Sequence, residues 1–227
     1  EDMFHEPFVL FGYLAAITER LELTTNIIIL GQRQTALVAK QAAEVDILTG
    51  GRLRLGIGTG WNAVEYEALG ENFHDRGIRS EEQIEVLRAL WTNQSIDYTG
   101  RWHRIRHAGL HPLPIQQPIP IWFGGNADKV LRRTARMGDG WFPQYTPRDI
   151  ETRKETAKAI DTLRQYISQA ERNSSDIGIE GRVSVDPNNP DLWNLKGIAL
   201  RSLGRYDEAI DCFNKSLEID PRDKNSS

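Results

Sequence analysis

The sequence predicts an α/β fold: an incomplete β/α barrel followed by a separate α-helical hairpin. Three observations predict it. Apolar runs of strand length alternate with helical stretches, the pattern of a parallel sheet covered by helices. The stretch GGRLRLGIGTGWNAVEYEALG, Gly50 to Gly70, sets glycines at 56, 58 and 60 straight after such a run, where a barrel would place a loop on its active face. After Val185 the alternation ends and a helix–turn–helix pattern replaces it.

The elements follow in order. Phe8 to Thr18 reads as a helix ending near Glu19-Arg20, and Leu21 to Leu30, rich in Thr and Ile, as a buried strand. Thr35 to Leu48 carries Leu37, Val38, Val45 and Leu48 at helical spacing, and Gly50-Gly51 stops it. Arg52 to Ile57 is the next strand. Ser80 to Trp91 is a helix with Ile84, Leu87, Leu90 and Trp91 on one side, in which Ser80 and Gln83 suit a capping box. Ser95 to Ile105 reads as a hairpin turning at Thr99-Gly100. The connector Pro112 to Pro120 leads to a short strand, Ile121 to Phe123. Gly124-Gly125-Asn126 then opens a helix to Met137, closed by Gly138. Trp141-Phe142 is a strand, Arg148 to Arg172 a long charged helix, and Ile177 to Val185 a last strand.

This alternation suits an open doubly wound sheet or a closed barrel. The dinucleotide fingerprint of the open sheet needs its third glycine two residues after the second. Here that glycine comes one residue early, and Trp61 stands in its place. No acid follows a second strand at the proper distance, so the barrel is preferred. Five barrel strands can be counted where a complete barrel has eight.

Composition limits the function classes. The net charge is -4 with acids and bases interspersed, so no basic stripe points to nucleic acid. The longest apolar run, Asn26 to Leu30, is too short to span a bilayer. No signal peptide is visible, which carries little weight in a chain opening on Glu1. Cys212 is the single cysteine, so no internal disulfide forms, and a reducing, cytoplasmic setting is expected.

Four segments, TERLELTTNIIIL, AKQAAEVDILTGGRLRLGIGTGWNAVEYEALG, HPLPIQQPIPIWFGGN and LRRTARMGDGWFP, together resemble the bacterial luciferase-like oxidoreductases. The resemblance runs from Phe8 to Val185. It is strong to probable coenzyme F-420-dependent oxidoreductases, in which a Gly-x-Gly-x-Gly-Trp loop and an Ile-Trp-x-Gly-Gly turn occur together. It implies a (β/α)8 TIM-type barrel, here lacking its first two strands and its last, and FMN or coenzyme F-420 as cofactor. By resemblance, Gly58, Thr59 and Gly60 with Gly124, Gly125 and Asn126 hold the cofactor phosphate. Small residues let backbone N–H groups approach an anion, and a helix start after Asn126 would favour it. Thr59 falls where the luciferase itself has a phosphate-binding arginine, so a hydroxyl replaces a charge. Asn26, or Thr25, lies on the strand that in this family often carries an irregular peptide under the cofactor ring.

Other residues have plainer readings. Glu65 matches a glutamate common in the family, yet a carboxylate at a helix start is favoured by the dipole alone. Trp61 either stacks on a ring or fills the barrel mouth. His103, His107 and His111 are spaced by four, but no carboxylate or thiol completes a ligand set, so no metal is expected. His74 is read as a surface loop residue. Arg76 and Arg79 are the basic candidates for the acidic tail of coenzyme F-420, and by default are surface residues. In many relatives the opening part of the barrel carries the catalytic histidine or acid, so no proton-transfer residue is named.

From Asp186 the sequence DPNNPDLWNLKGIALRSLGRYDEAIDCFNKSLEIDPRDK resembles one tetratricopeptide repeat. Trp193, Gly197, Leu200, Gly204, Tyr206, Ala209, Phe213 and Pro221 fall at its preferred places, and Asp186-Pro187 recurs as Asp220-Pro221, 34 residues on. Leu192 to Leu203 and Asp207 to Leu217 are its helices. One repeat cannot bury its own apolar face, so it needs a partner surface. Two functional readings follow. The first is a flavin- or deazaflavin-dependent oxidoreductase, 1–185, acting on a small organic molecule by hydride transfer or monooxygenation, with the repeat, 186–227, appended. The second is a barrel remnant without turnover, serving protein contact through the repeat. Unpaired barrel edges also predict self-association into a homo-oligomer.

Overall fold

Apolar strands bounded by glycines and helix caps set the order of elements in the computed structural model, which describes residues 5–144, 150–181, 189–202 and 204–221. Helix α1, Pro7–Ile17, starts where the Glu6 carboxylate accepts the Val9 N–H at 2.9 Å, and it buries Phe8 and Phe11. Strands β1, Leu23–Thr24, and β2, Ile28–Ile29, follow. Helix α2, Thr35–Thr49, ends at Gly50 in the left-handed conformation, φ 71°, a favoured stop for a residue without a β-carbon. Strand β3 is Leu53–Gly58, and helices α3, Ala63–Ala68, and α4, Arg76–Thr92, come next. The antiparallel hairpin β4, Ile96–Thr99, and β5, Arg104–Ala108, stands apart from the main sheet. Strand β6, Ile121–Gly124, helix α5, Asp128–Met137, strand β7, Gly140–Phe142, helix α6, Ile150–Gln169, and strand β8, Gly178–Ile179, complete the α/β part.

The main sheet is parallel, in the order β1-β3-β6-β7-β8, with β2 also on β3. It is a curled half-barrel of the kind the sequence predicts. Its two faces differ in residue type. Leu53, Leu55, Ile57, Ile121 and Phe123 are buried in one core with Val38, Ala42, Ile84, Leu87 and Trp91 of α2 and α4. Trp141 joins Leu131, Ala135, Leu163 and Ile167 of α5 and α6. The alternate positions carry Arg54, Gly56, Trp122 and Phe142. Trp122 stacks on Phe142 at 4.9 Å between centroids, and the Arg54 guanidinium lies 4.7 Å over the Trp122 ring. A β-carbon at Gly140 or Gly178 would stand 2.1 or 2.4 Å from the Trp122 indole, so these glycines make room for it.

Two polar clamps, one buried at Asp46 and one half-buried at Asp139, fix the connections. The Asp46 carboxylate, fully buried, accepts the Gln116 N–H at 2.9 Å and its amide at 2.6 Å. Asp139 Oδ2 accepts the Ile121 N–H and the Arg88 guanidinium, both at 2.8 Å. Such pairing offsets the desolvation of the carboxylates.

Several expectations are corrected. The single strand Leu21 to Leu30 is two short strands around Thr25-Asn26-Ile27, with Leu21 exposed. Leu37 and Leu48 lie on the exposed side of α2, because helix propensity, not burial, suits them there. Helix α4 begins one turn before Ser80, with Asp75 at its N-cap. Ser80 donates to Gly77 O at 2.8 Å and Gln83 bonds Leu30 O, Arg33 O and the Thr35 hydroxyl, so neither caps. Helix α5 starts at Asp128, after the glycine pair rather than on it. Helix α3 is foreshadowed only by the helix start read at Glu65, which lies in its first turn. The Arg148 helix start, residues 182–185 of the last strand, the Val185 boundary, Asp186-Pro187 and Leu203 lie outside the described residues.

The chain divides into two units, 1–181 and 182–227. In the second, α7, Pro190–Ser202, and α8, Tyr206–Ile219, form a helical pair around Leu200, Ala209 and Cys212. Phe213 lies within 2.5 Å of where a β-carbon on Gly197 would be, so the glycine admits the ring. The Ser216 hydroxyl donates to Pro190 O at 2.7 Å.

Candidate functional site

Six of the seven expected site residues sit on one rim. Strands β3 and β6 are parallel neighbours with Ile57 opposite Phe123. Gly58, Thr59 and Gly60 leave the end of one, and Gly124, Gly125 and Asn126 leave the end of the other. Asn26 stands where β1 breaks into β2; it is exposed, and the Asn26–Ile27 peptide is cis. A water-sized hollow of about 10 Å³ opens between the two strand ends, lined by Ile57, Gly58, Thr59, Ser80, Phe123, Gly124, Val130 and Arg133.

Each glycine has its own reason to lack a side chain. A β-carbon on Gly58 would lie 2.5 Å from Ile27 Cδ1, and one on Gly124 would lie 2.7 Å from Ile27 Cγ2. These two therefore admit Ile27. Gly125 differs: its φ is +114°, and a β-carbon there would meet nothing nearer than Val130 at 3.8 Å. Its N–H donates to Phe142 O at 3.3 Å, and its carbonyl accepts the Trp141 indole N–H at 2.8 Å. Asn126 clips the loop through its amide, donating to Gln144 O and accepting the Gln144 N–H. Its side chain is thus committed to the backbone, and beyond it the first turn of α5 presents N–H groups.

The loop after β3 is braced from below. The Tyr66 hydroxyl donates to Thr59 O at 2.8 Å, and burial pushes its phenol above the ordinary value. Arg76 donates to Gly60 O at 3.3 Å and lies 3.6 Å over the Phe73 ring. Arg79 is 7% exposed, bonded to Gly31 O and paired with Glu71. It is a buried strut rather than a surface charge, and burial lowers its pKa. Glu65 accepts from Gln32 and Asn62 at 3.0 Å, the structural role. Trp61 is 85% exposed, so it does not fill the mouth.

The histidines are separated. His103 Nδ1 lies 2.8 Å from Glu82 Oε1 and Nε2 2.6 Å from the Thr35 hydroxyl. Burial alone would raise the Glu82 carboxyl, but bonds from His103 and the backbone of Trp102, Arg101 and His103 hold it below the ordinary value. His107 is exposed near Asp97, and His111 offers its carbonyl to Lys40. His74 is an exposed loop residue. Among the described residues no group of His, Cys, Asp or Glu has the arrangement of a metal site.

The site fits a phosphate in the kind of donors it offers. Thr59, Ser80 and Arg133 are the polar residues on the wall of a hollow that would admit a single oxygen. The Ser80 hydroxyl spends its proton on Gly77 O, which leaves the Thr59 hydroxyl and the Arg133 guanidinium as side-chain donors. A model of the luciferase-like monooxygenases matches residues 1–221. The chain belongs to that family. The match runs through α7 and α8, beyond the boundary expected at Val185. The chain is 44% identical over 139 residues to an uncharacterized protein of Mycobacterium tuberculosis, covering 61% of this chain and 48% of that one. It is 36% identical over 219 residues to the FMNH2-dependent dimethylsulfone monooxygenase of Pseudomonas fluorescens, covering 88% of this chain and 58% of that one. The chain thus spans about half the length of the curated relatives it matches. The fold of this luciferase-like chain matches coenzyme F420-dependent tetrahydromethanopterin reductase from Methanopyrus kandleri with TM-score 0.70 at 17% identity, over 96% of this chain and 65% of that one.

The sequence reading missed Ser80 as a wall of the site, having made it a cap, and missed Arg133. The spacing of GGNADKVLRR to an anion loop holds no signal for Arg133, since its partner Glu81 is 52 residues away.

Proposed function

We propose that this luciferase-like chain holds the phosphate end of FMN or coenzyme F-420 and belongs to an oxidoreductase acting on a small organic substrate. The observation that carries this reading is the meeting of the β3 and β6 ends with Thr59, Ser80 and Arg133 on one hollow. Gly58, Thr59, Gly60, Gly124 and Gly125 shape the loops, and Asn126 fixes the second loop against Gln144. Backbone N–H groups at the start of α5 add a favourable dipole. Asn26 stands at the break of the neighbouring strand, where it would border the ring. The exposed Trp61 offers an aromatic face at the same rim. When bound, the cofactor supplies hydride transfer or oxygen chemistry at its ring, while the protein positions it. A cytoplasmic setting suits such a cofactor. No helix among the described residues is long and apolar enough to cross a membrane.

For α7 and α8 the same proposal assigns a tetratricopeptide-like pair that takes a protein partner. Leu195, Ile198, Tyr206 and Ile210 are exposed on it, which supports a contact role. Removal of residues 186–227 with retained cofactor affinity and loss of a bound protein is the expected outcome; unchanged association would remove that role.

The test of the cofactor site is titration of the whole chain with FMN and, separately, coenzyme F-420, followed by cofactor fluorescence. Saturable binding that Gly125→Val weakens, in a variant with unaltered circular dichroism, is expected. A folded chain that binds neither cofactor refutes the reading.

A further inference from the structure

The two glycine loops are electrically neutral. Gly58, Thr59, Gly60, Gly124, Gly125 and Asn126 carry no charge, yet a phosphate ester brings one or two negative charges to them. A buried or half-buried anion without a counter-charge is costly. We propose that Arg133 supplies that counter-charge, reaching the phosphate from the second turn of α5. This rests on the cofactor reading above.

Arg133 is the ionisable side chain on the wall of the hollow. Its side chain is 12% exposed, and Nε donates to Glu81 Oε1 at 2.6 Å. No hydrogen bond engages either terminal nitrogen among the described residues. Glu81 does not neutralise it alone, because Arg136 donates to Glu81 Oε2 at 2.8 Å. One carboxylate shared by two guanidiniums leaves a net positive charge. Glu81 remains ionised there: burial would raise its carboxyl, but the bonds from Arg136 and Arg133 hold it below the ordinary value. Gly77 lets the guanidinium lie against α4, since a β-carbon there would stand 2.4 Å from Arg133 Nη2. A tie between α4 and α5 would need Nε alone; Arg133 also lines the hollow beside the glycine loops, its terminal nitrogens carry no hydrogen bond among the described residues, and a planar fork suits phosphate oxygens.

The experiment compares each cofactor with its phosphate-free counterpart: FMN with riboflavin, and coenzyme F-420 with its deazaflavin core. Dissociation constants are measured by fluorescence for the whole chain and for Arg133→Met, whose apolar stem keeps the packing. The parent chain is expected to favour the phosphorylated form of its cofactor. Arg133→Met should lose about tenfold or more of that affinity while the phosphate-free form binds as before, and Arg133→Lys should keep most of it. If Arg133→Met does not fold, the pair Glu81→Gln with Arg133→Met removes charge from both partners and is measured instead. An unchanged preference for the phosphorylated form in Arg133→Met, or in the double variant measured in its place, overturns the role of Arg133 and leaves the cofactor site standing. Failure of the folded parent chain to bind any of the four compounds overturns the cofactor reading and this inference together.

Discussion

The carbonyl oxygen of Thr25 occupies the place of a side chain on Gly56: a β-carbon there would stand 1.8 Å away. The Thr25 hydroxyl also donates to Gly56 O at 2.7 Å. The end of β1 and the middle of β3 are therefore pressed backbone to backbone. The first of the three alternate glycines owes its identity to this contact.

Gly56→Ala should accordingly destabilise the fold by about 3 kcal/mol, at the upper end for overpacking, because the clash is with backbone and not with a side chain that can turn away. Urea unfolding followed by circular dichroism would show it as a lowered midpoint with an unchanged slope. A midpoint within error of the parent would mean that β1 and β3 can separate without cost.

The clamp between Glu82 and the β4–β5 hairpin gives a pH dependence. Glu82 accepts N–H groups from Arg101, Trp102 and His103, each at 2.8 Å, as well as the His103 ring. Its folded pKa lies below the ordinary 4.5. The contribution is therefore fully present above that ordinary value and is lost as pH falls through the folded value. The gap in unfolding midpoint between the parent and Glu82→Gln should be present above pH 4.5 and close as pH falls further. A gap that widened below pH 4.5 would contradict the direction.

Much of this architecture was legible because buried parallel strands are apolar runs between glycines. Leu53 to Ile57 and Ile121 to Phe123 were read nearly as they stand. The break at Asn26 was not legible in the residues themselves, since TTNIII has uniform strand propensity and the turn is imposed by packing of Ile27 over β3 and β6; only the family resemblance pointed to an irregular peptide on this strand. The start of α4 was misplaced because Ser80 has a cap's chemistry, while Asp75, one turn earlier, caps without a side-chain bond. The glycine loops of the site were visible by their spacing. Ser80 and Arg133 were not, because a charged residue on an amphipathic helix reads as solvated until its distant partner is known.

Asp46 makes a test of the connector. Its carboxylate is fully buried and takes both the backbone and side-chain amides of Gln116. Asp46→Ala leaves the Gln116 N–H without its acceptor in the interior, which costs about 1–3 kcal/mol, with the lost charge-assisted bonds in addition. Thermal unfolding should fall by several degrees, and Gln116→Ala in the same background should add little, since the two residues share one set of bonds. Full additivity of the two would show that Asp46 acts through another contact.

Packing and binding make opposite claims on Gly58, and a double-mutant cycle separates them. Ile27 Cδ1 lies 2.5 Å from the position of a β-carbon on Gly58. Gly58→Ala alone should cost about 1–3 kcal/mol by overpacking. With Ile27→Ala the space is vacated, so the same substitution should then cost far less, a coupling of about 1 kcal/mol or more. Cofactor affinity obeys a different rule. If the backbone at Gly58 must approach the phosphate, Gly58→Ala weakens FMN or coenzyme F-420 binding whether or not Ile27 is present. Recovery of stability without recovery of affinity assigns both roles to this glycine. Recovery of both by Ile27→Ala confines it to packing, and shifts the phosphate contact to Thr59, Gly125 and Arg133.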